Sequence, residues 1–197
     1  MVRTRTFDRD DTLRSVMRLF TSKGYAETSM EDIVKATGVS RYGLYSTFGN
    51  KRELFEQALE RYADSMGRQS FLRLLEPDAS VADIRAIFEE RIDALFRGGK
   101  IRGCLLCNTA MEVAPHDDGI EEVLQRFMKR ISKAFAIGLE TAKARGDVAA
   151  DLDAHSASDH LTSTLFGLVV LARSGFSESR LRSVVDDTVR SLEALPA

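Results

Sequence analysis

Apolar residues recur at helical spacing along nearly the whole chain, and this pattern restricts what the chain can fold into. Leu13, Val16, Met17 and Phe20 follow the i, i+3, i+4, i+7 spacing of one helix face, and similar runs follow. The sequence contains no sustained strand-like alternation, no hairpin signal and no internal repeat. The prolines fall between or after the apolar runs, where they remove no helical hydrogen bond. We therefore predict an all-α fold of about nine helices.

Residues typical of helix starts and helix ends divide the amino-terminal part of the sequence into several short helices. A second helix begins at Thr28 or Ser29 and ends at Gly38, whose position in the turn favours a positive φ. A short third helix begins at Ser40, and Asn50 caps a fourth that is expected to run to residue 75. These boundaries predict a helix-turn-helix domain in residues 1–52. Residues 53–197 then form a second helical domain.

Charge and composition narrow the class of protein. Residues 1–52 hold ten Lys/Arg and six Asp/Glu, whereas the whole chain has a net charge of −2. This basic end favours an anionic partner, although four extra charges also suit a solvated helix face. The longest apolar run, residues 168–172, is far shorter than the ~20 residues of a bilayer span. Two cysteines exclude a disulfide scaffold, and we expect a cytoplasmic protein without a membrane partner.

Residues 28–54 have the pattern of a helix, a tight turn and a second short helix. In helix-turn-helix proteins the second helix enters the DNA major groove. Its side chains here are rich in groups that reach phosphates or bases, and Gly43 is expected to let the backbone approach a base edge. The predicted DNA-contacting residues are Thr28, Ser29, Ser40, Arg41, Tyr42, Gly43, Tyr45, Ser46, Thr47 and Lys51. Leu44, Phe48 and Leu54 are expected in the core, and Tyr45 also suits a half-buried packing position.

The same segment resembles the DNA-binding signature of the TetR/AcrR family of bacterial transcriptional regulators over roughly residues 10–56. The resemblance is carried by Thr28, Ile33, Gly38-Val39-Ser40, Leu44-Tyr45, Phe48, Lys51 and Leu54. It implies a homodimeric repressor that binds double-stranded operator DNA and is released by a small-molecule effector; activation remains an alternative. It also implies DNA contacts for Tyr42, Tyr45 and Lys51, the last two on phosphates. Arg41-Tyr42 departs from the smaller residues of many members, which leaves the operator sequence open.

The last two predicted helices have apolar faces suited to a four-helix bundle with a second copy of the chain. A two-fold DNA site needs two reading heads, and the family resemblance favours this dimer over packing within one chain. The predicted interface residues are Leu161, Leu165, Leu168, Val169, Leu181, Val184, Val185 and Leu192.

Residues 102–117 resemble a "GCLLxNTAxE" segment that lies over the ligand cavity in a large TetR subgroup. Cys104 and Cys107 are three residues apart, and Cys104 lies near a helix amino end, where the dipole favours a reactive thiolate. One hypothesis is therefore a sensor of oxidants or electrophiles; the alternative is two small buried hydrophobes. A zinc site formed with His116 lacks a fourth ligand, so we expect no metal.

A small-molecule effector is expected among large apolar side chains, although any helical core would contain the same residue types. The predicted pocket residues are Phe71, Leu74, Phe88, Cys104, Cys107, Met111, Phe127, Met128 and Phe166. Catalytic motifs are lacking, so we expect neither an enzyme nor a cofactor. The alternative function is a thiol-based redox or ligand sensor with weak or vestigial DNA binding. Arg3 and Arg5 form a basic arm that suits either a DNA groove or an unstructured tail.

Overall fold

A computed structural model describes residues 7–67, 71–99, 101 and 103–193, and it is built from helices. Arg3 and Arg5 lie outside these residues. Nine α-helices occur in the described part: α1 Arg9–Lys23, α2 Met30–Thr37, α3 Arg41–Phe48, α4 Lys51–Gly67, α5 Val81–Phe96, α6 Leu105–Glu112, α7 Asp118–Arg145, α8 Ala154–Arg173 and α9 Glu178–Arg190. Two short 3₁₀ helices, Leu72–Leu75 and Ala114–His116, and one isolated bridge from Val148 to Glu193 accompany them. The predicted all-α class and helix number are confirmed.

Side-chain caps explain where the amino-terminal helices begin. Ser29 is the N-cap of α2, and its hydroxyl and the Asp32 carboxylate bond reciprocally to backbone amides as a capping box. Ser40 caps α3 by accepting from the Gly43 amide at 3.1 Å. Asn50 and Glu53 form the equivalent pair at α4, with bonds of 2.8 and 3.0 Å. Local polar residues therefore fix the helix starts that the sequence indicated.

The chain divides into two compact units. The first joins residues 7–64 to residues 104–124, so α6 belongs with the helix-turn-helix rather than with the rest of the carboxyl-terminal half. Its core includes Phe20, Phe55 and Tyr25, whose rings lie 4.6–6.0 Å apart between centroids. This grouping differs from the sequential division predicted at residues 52 and 53, because side chains of α6 bond to the loop after α1.

The second unit contains residues 65–103 and 125–193. Its helices α5, α8 and α9 pack on one another around buried Ile, Leu, Val and Phe side chains. Arg182 on α9 pairs with Glu89 and Asp93 on α5, and Arg85 pairs with Asp186. The fourth helix ends at Gly67 instead of at the predicted residue 75. Residues 72–75 form a separate 3₁₀ turn, which places Leu74 against Gly138 of α7. No helix in the described ranges is both long and apolar enough to cross a membrane.

Candidate nucleic-acid interface

The turn between α2 and α3 has the geometry that the sequence predicts. Gly38 adopts φ +69° and ψ +7°, a left-handed conformation that glycine enters without steric cost, and its amide donates to the Val34 carbonyl at 2.8 Å. Val39, which follows, is buried, as are Leu44 and Phe48 on the inner face of α3. The second helix is therefore held at a fixed angle to the first with its opposite face in solvent.

That outer face carries most of the predicted DNA-contacting side chains. Tyr42 is 83% exposed and Tyr45 41%, and Ser29, Ser40, Arg41, Ser46 and Thr47 are also exposed. Arg41 lies 5.8 Å from the Tyr45 ring centroid and forms an ion pair with Glu31 at 2.8 Å. Tyr42 presents most of its ring and its hydroxyl to solvent, where both are available to a partner. The arrangement offers hydroxyl, guanidinium and aromatic groups on one short helix.

Thr28 departs from the prediction, because its side chain is wholly buried. Its hydroxyl donates to the Gly24 carbonyl at 2.6 Å, which satisfies it inside the turn before α2. The neighbouring Ser29, which is exposed, is the helix cap. Thr28 is therefore a structural residue of the turn, and we remove it from the predicted DNA contacts.

Gly43 lies close to side chains of its own chain. A Cβ atom at this position would lie 3.1 Å from Val39 Cγ1, 3.2 Å from Ser40 Oγ and 3.3 Å from Phe7 Cε1. These distances are shorter than about nine in ten real Cβ contacts. A larger side chain at this position would therefore crowd Val39, Ser40 and Phe7, and the approach of a base edge to Gly43 stays a prediction.

Lys51 opens α4 beside the loop that follows α1. Its Nζ atom lies 4.3 Å from the centroid of the Tyr25 ring, a cation–π distance. Burial lowers the pKa of Lys51, the Glu112 carboxylate opposes this change, and the Lys23 ammonium adds to it. The Lys51 side chain is half-buried at a helix amino end, where free amides also bind anions.

Polar side chains of α6, the Asn and Glu of the GCLLxNTAxE-like segment, hold the carboxyl-terminal end of α1, a role that the sequence did not assign to them. Glu112 accepts from the amides of Tyr25 at 3.0 Å and Ala26 at 2.6 Å. Asn108 donates to the Thr21 carbonyl at 3.0 Å. A Cβ at Gly24, whose φ is +87°, would lie 2.9 Å from Glu112 Oε2 and would displace this carboxylate. Hydrogen bonds therefore connect the turn before α2 to α6.

An ion pair makes a second link between α4 and the start of α7. Arg52 donates to both carboxylate oxygens of Asp117, at 2.7 and 2.8 Å, and to Glu56 at 2.8 Å. The Arg52 guanidinium lowers the pKa of Asp117 to about 2, helped by the Ile120 amide bond. Asp117 raises the pKa of Arg52 above its already high ordinary value. A bidentate ion pair of this kind fixes the relative orientation of the two side chains and also pairs their charges.

Asp117→Asn should lower the stability of the protein by about 1 kcal/mol at pH 7, since Arg52 is partly exposed and solvent weakens the pair. A depressed carboxylate pKa stabilises the fold above the unfolded value of about 3.9, and this contribution disappears as the pH falls towards 2. Urea titrations across this range should show the two proteins converging in acid. Asp118→Asn, at an exposed neighbour, is the control. A constant gap at all pH values would contradict the assignment.

The predicted effector-pocket residues have different surroundings. Within the second unit Phe71, Leu74, Phe88 and Phe127 are buried, and the Phe71 and Phe88 rings lie 5.4 and 5.9 Å from Phe135. Met128 and Phe166 are half-buried. Met111 is 84% exposed, which corrects its assignment to a cavity wall: on the short helix α6 it faces solvent. The pocket itself stays a prediction.

The two cysteines differ in access. Cys104 is wholly buried as the N-cap residue of α6, whereas Cys107 is half-buried within that helix. A buried thiol offers no surface to a reagent, so the thiol-sensing hypothesis depends on Cys107 alone.

The predicted dimer interface requires a correction. The apolar side chains chosen for it are buried within a single chain, because α8 and α9 pack on α5 and on each other. The buried residues are Leu161, Leu165, Leu168, Val169, Leu181, Val185 and Leu192. Val184 is half-buried. The amphipathic pattern located the inner face of these helices, which is already covered within one chain.

The fold and the exposed α3 face define a class: a helical protein that presents a helix-turn-helix for DNA. Comparisons with known proteins agree with it. A family model described as bacterial regulatory proteins, tetR family, matches residues 13–58. A second, described as a tetracyclin repressor-like C-terminal domain, matches residues 80–186.

Relatives and solved structures match over nearly the full length. The uncharacterized HTH-type transcriptional regulator YezE of Bacillus subtilis (strain 168) is 30% identical, with 98% of this chain and 100% of YezE covered. The HTH-type transcriptional repressor ComR of Escherichia coli (strain K12) is 29% identical, with 95% and 90% covered. A cysteine mutant of the TetR family transcriptional regulator CifR, solved with 26-bp operator DNA, is 29% identical with a TM-score of 0.84 and covers 98% of this chain and 100% of its own.

The chain belongs to the TetR family of bacterial regulatory proteins. It is a helix-turn-helix transcriptional regulator, and the relatives named above are regulators rather than enzymes. The resemblance seen in residues 28–54 is thereby confirmed at the level of the family.

Proposed function

We propose that this regulator is a repressor that binds a pseudo-palindromic operator as a homodimer, with α3 of each copy in the major groove. The observation that carries the proposal is the outer face of α3, where Tyr42 is 83% exposed and Arg41 and Thr47 are exposed as well. Most of the Tyr42 ring lies in solvent instead of in the core of the first unit. A helix that presents such side chains over a buried inner face matches the docking mode of helix-turn-helix proteins.

Individual roles follow from position. Tyr42, Arg41 and Thr47 lie on the part of α3 that would face base edges, and Ser40 at its amino end suits a phosphate. Tyr45 and Lys51 would fix the register on the backbone, since one hydroxyl and one ammonium flank the end of α3. Phosphate contacts position the protein, whereas base contacts specify the sequence.

Operator titrations at several salt concentrations test this proposal. Fluorescence anisotropy with the promoter DNA beside the gene should show affinity that falls steeply with salt. Lys51→Ala should flatten the slope of log K against log salt by about one unit for each bound copy. Tyr42→Ala should weaken binding at least tenfold without that change in slope. Lys129→Ala on α7, an exposed lysine outside the first unit, should match wild type. Binding that ignored salt and both variants would reject the proposal.

We further propose that an effector releases the operator by displacing α6. Glu112 and Asn108 bond to the end of α1 and to the turn before α2, so movement of α6 would pull on the helix-turn-helix. Such a ligand acts only through its different affinity for the bound and released states. The effector's chemistry is left open.

We propose that the dimer interface, or seam, lies on the solvent-exposed face of α8. Ser163, Gly167, Val170 and Ser174 lie at helical spacing on one stripe, with Val170 56% exposed and open space beside Gly167. Small residues let two helices approach closely, and an exposed valine gains by burial. We place the protein in the cytoplasm, where its DNA is.

A further inference from the structure

We propose that Arg41 and Glu31 together read one G·C base pair in each half of the operator, Arg41 on the guanine and Glu31 on the cytosine. This inference rests on the operator binding proposed above and adds a base pair that the operator must contain. It is carried by the ion pair that joins the start of α3 to the first turn of α2, where both side chains are exposed.

The Arg41 guanidinium is held from two sides. Its Nη1 atom donates to Glu31 Oε1 at 2.8 Å across the turn between the helices. Its Cζ atom lies 5.8 Å from the ring centroid of Tyr45, one helical turn further along α3, which is within the range of a cation–π contact. Arg41 therefore has less side-chain freedom to lose on meeting a partner than an unsupported surface arginine has.

Glu31 and its neighbour Asp32 use their carboxylates differently. The Asp32 carboxylate accepts from the Ser29 amide in the cap of α2 and pairs with Lys23 at 2.6 Å, so its charge is used at the start of α2. The Glu31 carboxylate bonds across the turn to the first residue of α3. Of the two carboxylates, Glu31 is therefore the one that lies beside the helix proposed to enter the groove.

The chemistry of this ion pair matches the major-groove edge of a G·C base pair. Guanine presents the acceptors N7 and O6 there, and cytosine presents its N4 amino donor. A guanidinium has several N–H donors, so the bond from Arg41 to Glu31 leaves others for guanine, and the Glu31 carboxylate can accept from the cytosine amino group as well. An A·T pair would place the adenine N6 donor opposite Arg41 and the thymine O4 acceptor opposite Glu31, so both contacts would become repulsive.

The Glu31 charge also argues against a phosphate as the partner of Arg41. A carboxylate within hydrogen-bond distance of the guanidinium repels a phosphate that approaches it, whereas a base edge carries no net charge. Arg41 is the first residue of α3, and the amino-terminal residues of a recognition helix are the ones that contact base edges. Arg41 is therefore a residue that specifies sequence.

Selection of sites from a random double-stranded DNA library with the wild-type protein, followed by anisotropy titrations of single-pair variants, tests this inference. Replacing the selected G·C pair of one half-site by A·T should lower wild-type affinity about five- to 150-fold. Arg41→Ala should bind the two DNAs nearly equally, because the group that distinguishes them is gone. The matched control, Arg14→Ala, removes an exposed arginine of α1 that pairs with Asp11, and it should keep the wild-type preference.

The outcomes separate this inference from the proposed function. If Arg41→Ala keeps the wild-type preference at every position, Arg41 reads no base. If it weakens binding to all sequences alike and flattens the salt slope, Arg41 contacts a phosphate. Either result would overturn the inference while leaving operator binding intact. A wild-type protein that selects no sequence from the library would overturn the proposed function instead.

Glu31→Gln tests the part assigned to the carboxylate. Loss of the charge frees Arg41 for phosphates, so the variant should bind DNA without the selected site more tightly than wild type does. The slope of log K against log salt on that DNA should steepen by about 0.9 for each bound copy. Glu122→Gln removes the same charge from an exposed position of α7 in the same unit and should change neither quantity. An unchanged slope for Glu31→Gln would show that the carboxylate does not hold Arg41 away from phosphates, and its assigned role would be wrong.

Discussion

Val170→Arg should make the protein monomeric and lower its operator affinity by a hundredfold or more. The side chain is 56% exposed on the α8 stripe, so arginine adds no strain within one chain but places a charge where two copies would meet. Two linked DNA-binding domains bind with an affinity about 10²- to 10⁴-fold higher than one domain does, and a monomer loses this increase. Analytical ultracentrifugation together with operator titration measures both effects.

Ile137→Arg is the matched control for this prediction. It introduces the same charge at another exposed apolar residue of the second unit, on α7. It should remain dimeric and bind DNA as wild type does. If Val170→Arg sediments as a dimer and binds normally, the α8 stripe is not the seam. A monomeric wild type would reject the homodimer itself.

Glu112→Ala should destabilise the first unit by about 2–3 kcal/mol and weaken operator binding at least tenfold. The carboxylate accepts from two backbone amides, and charge-assisted bonds are roughly twice as strong as neutral ones. Without this carboxylate the amide of half-buried Tyr25 has no acceptor from α6. The Tyr25 ring, which contacts Lys51, is then held less firmly in position. Urea unfolding and operator titration give the two quantities.

Two further variants show whether this effect is specific. Glu112→Gln keeps one acceptor oxygen and should fall between wild type and the alanine variant. Glu122→Ala removes an exposed carboxylate from α7 in the same unit and should change neither stability nor binding appreciably. Equal losses for all three substitutions would show that net charge, rather than the bonds to the α1–α2 turn, causes them.

Local signals predicted the helix-turn-helix well. The Gly38 turn, the Ser40 cap and the Asn50–Glu53 pair depend on residues within a few positions of one another, so sequence spacing is enough to find them. The family resemblance added the side of α3 that is expected to face DNA. Thr28 was misassigned because Thr28 and Ser29 both suit an N-cap, and only packing shows which one is buried.

Contacts between distant segments were out of reach of the sequence. Glu112 lies 87 residues from Tyr25, and Asp117 lies 65 from Arg52, so no periodicity links them. Amphipathicity identifies one buried face per helix but not what covers it, which is why the apolar faces of α8 and α9 were assigned to a partner. A short helix such as α6 has too few turns to define its buried side, and Met111 was placed wrongly for that reason.

The central claim is that two copies of α3 read the major groove, and dimethyl sulfate footprinting on the promoter beside the gene tests it most directly. This reagent reports access to guanine N7 in that groove. We expect two protected patches whose centres are separated by a whole number of helical turns, about 10 bp or a multiple. Tyr42→Ala should remove both together. Bound protein with every guanine N7 still reactive, or with protection unaltered by Tyr42→Ala, would contradict the account.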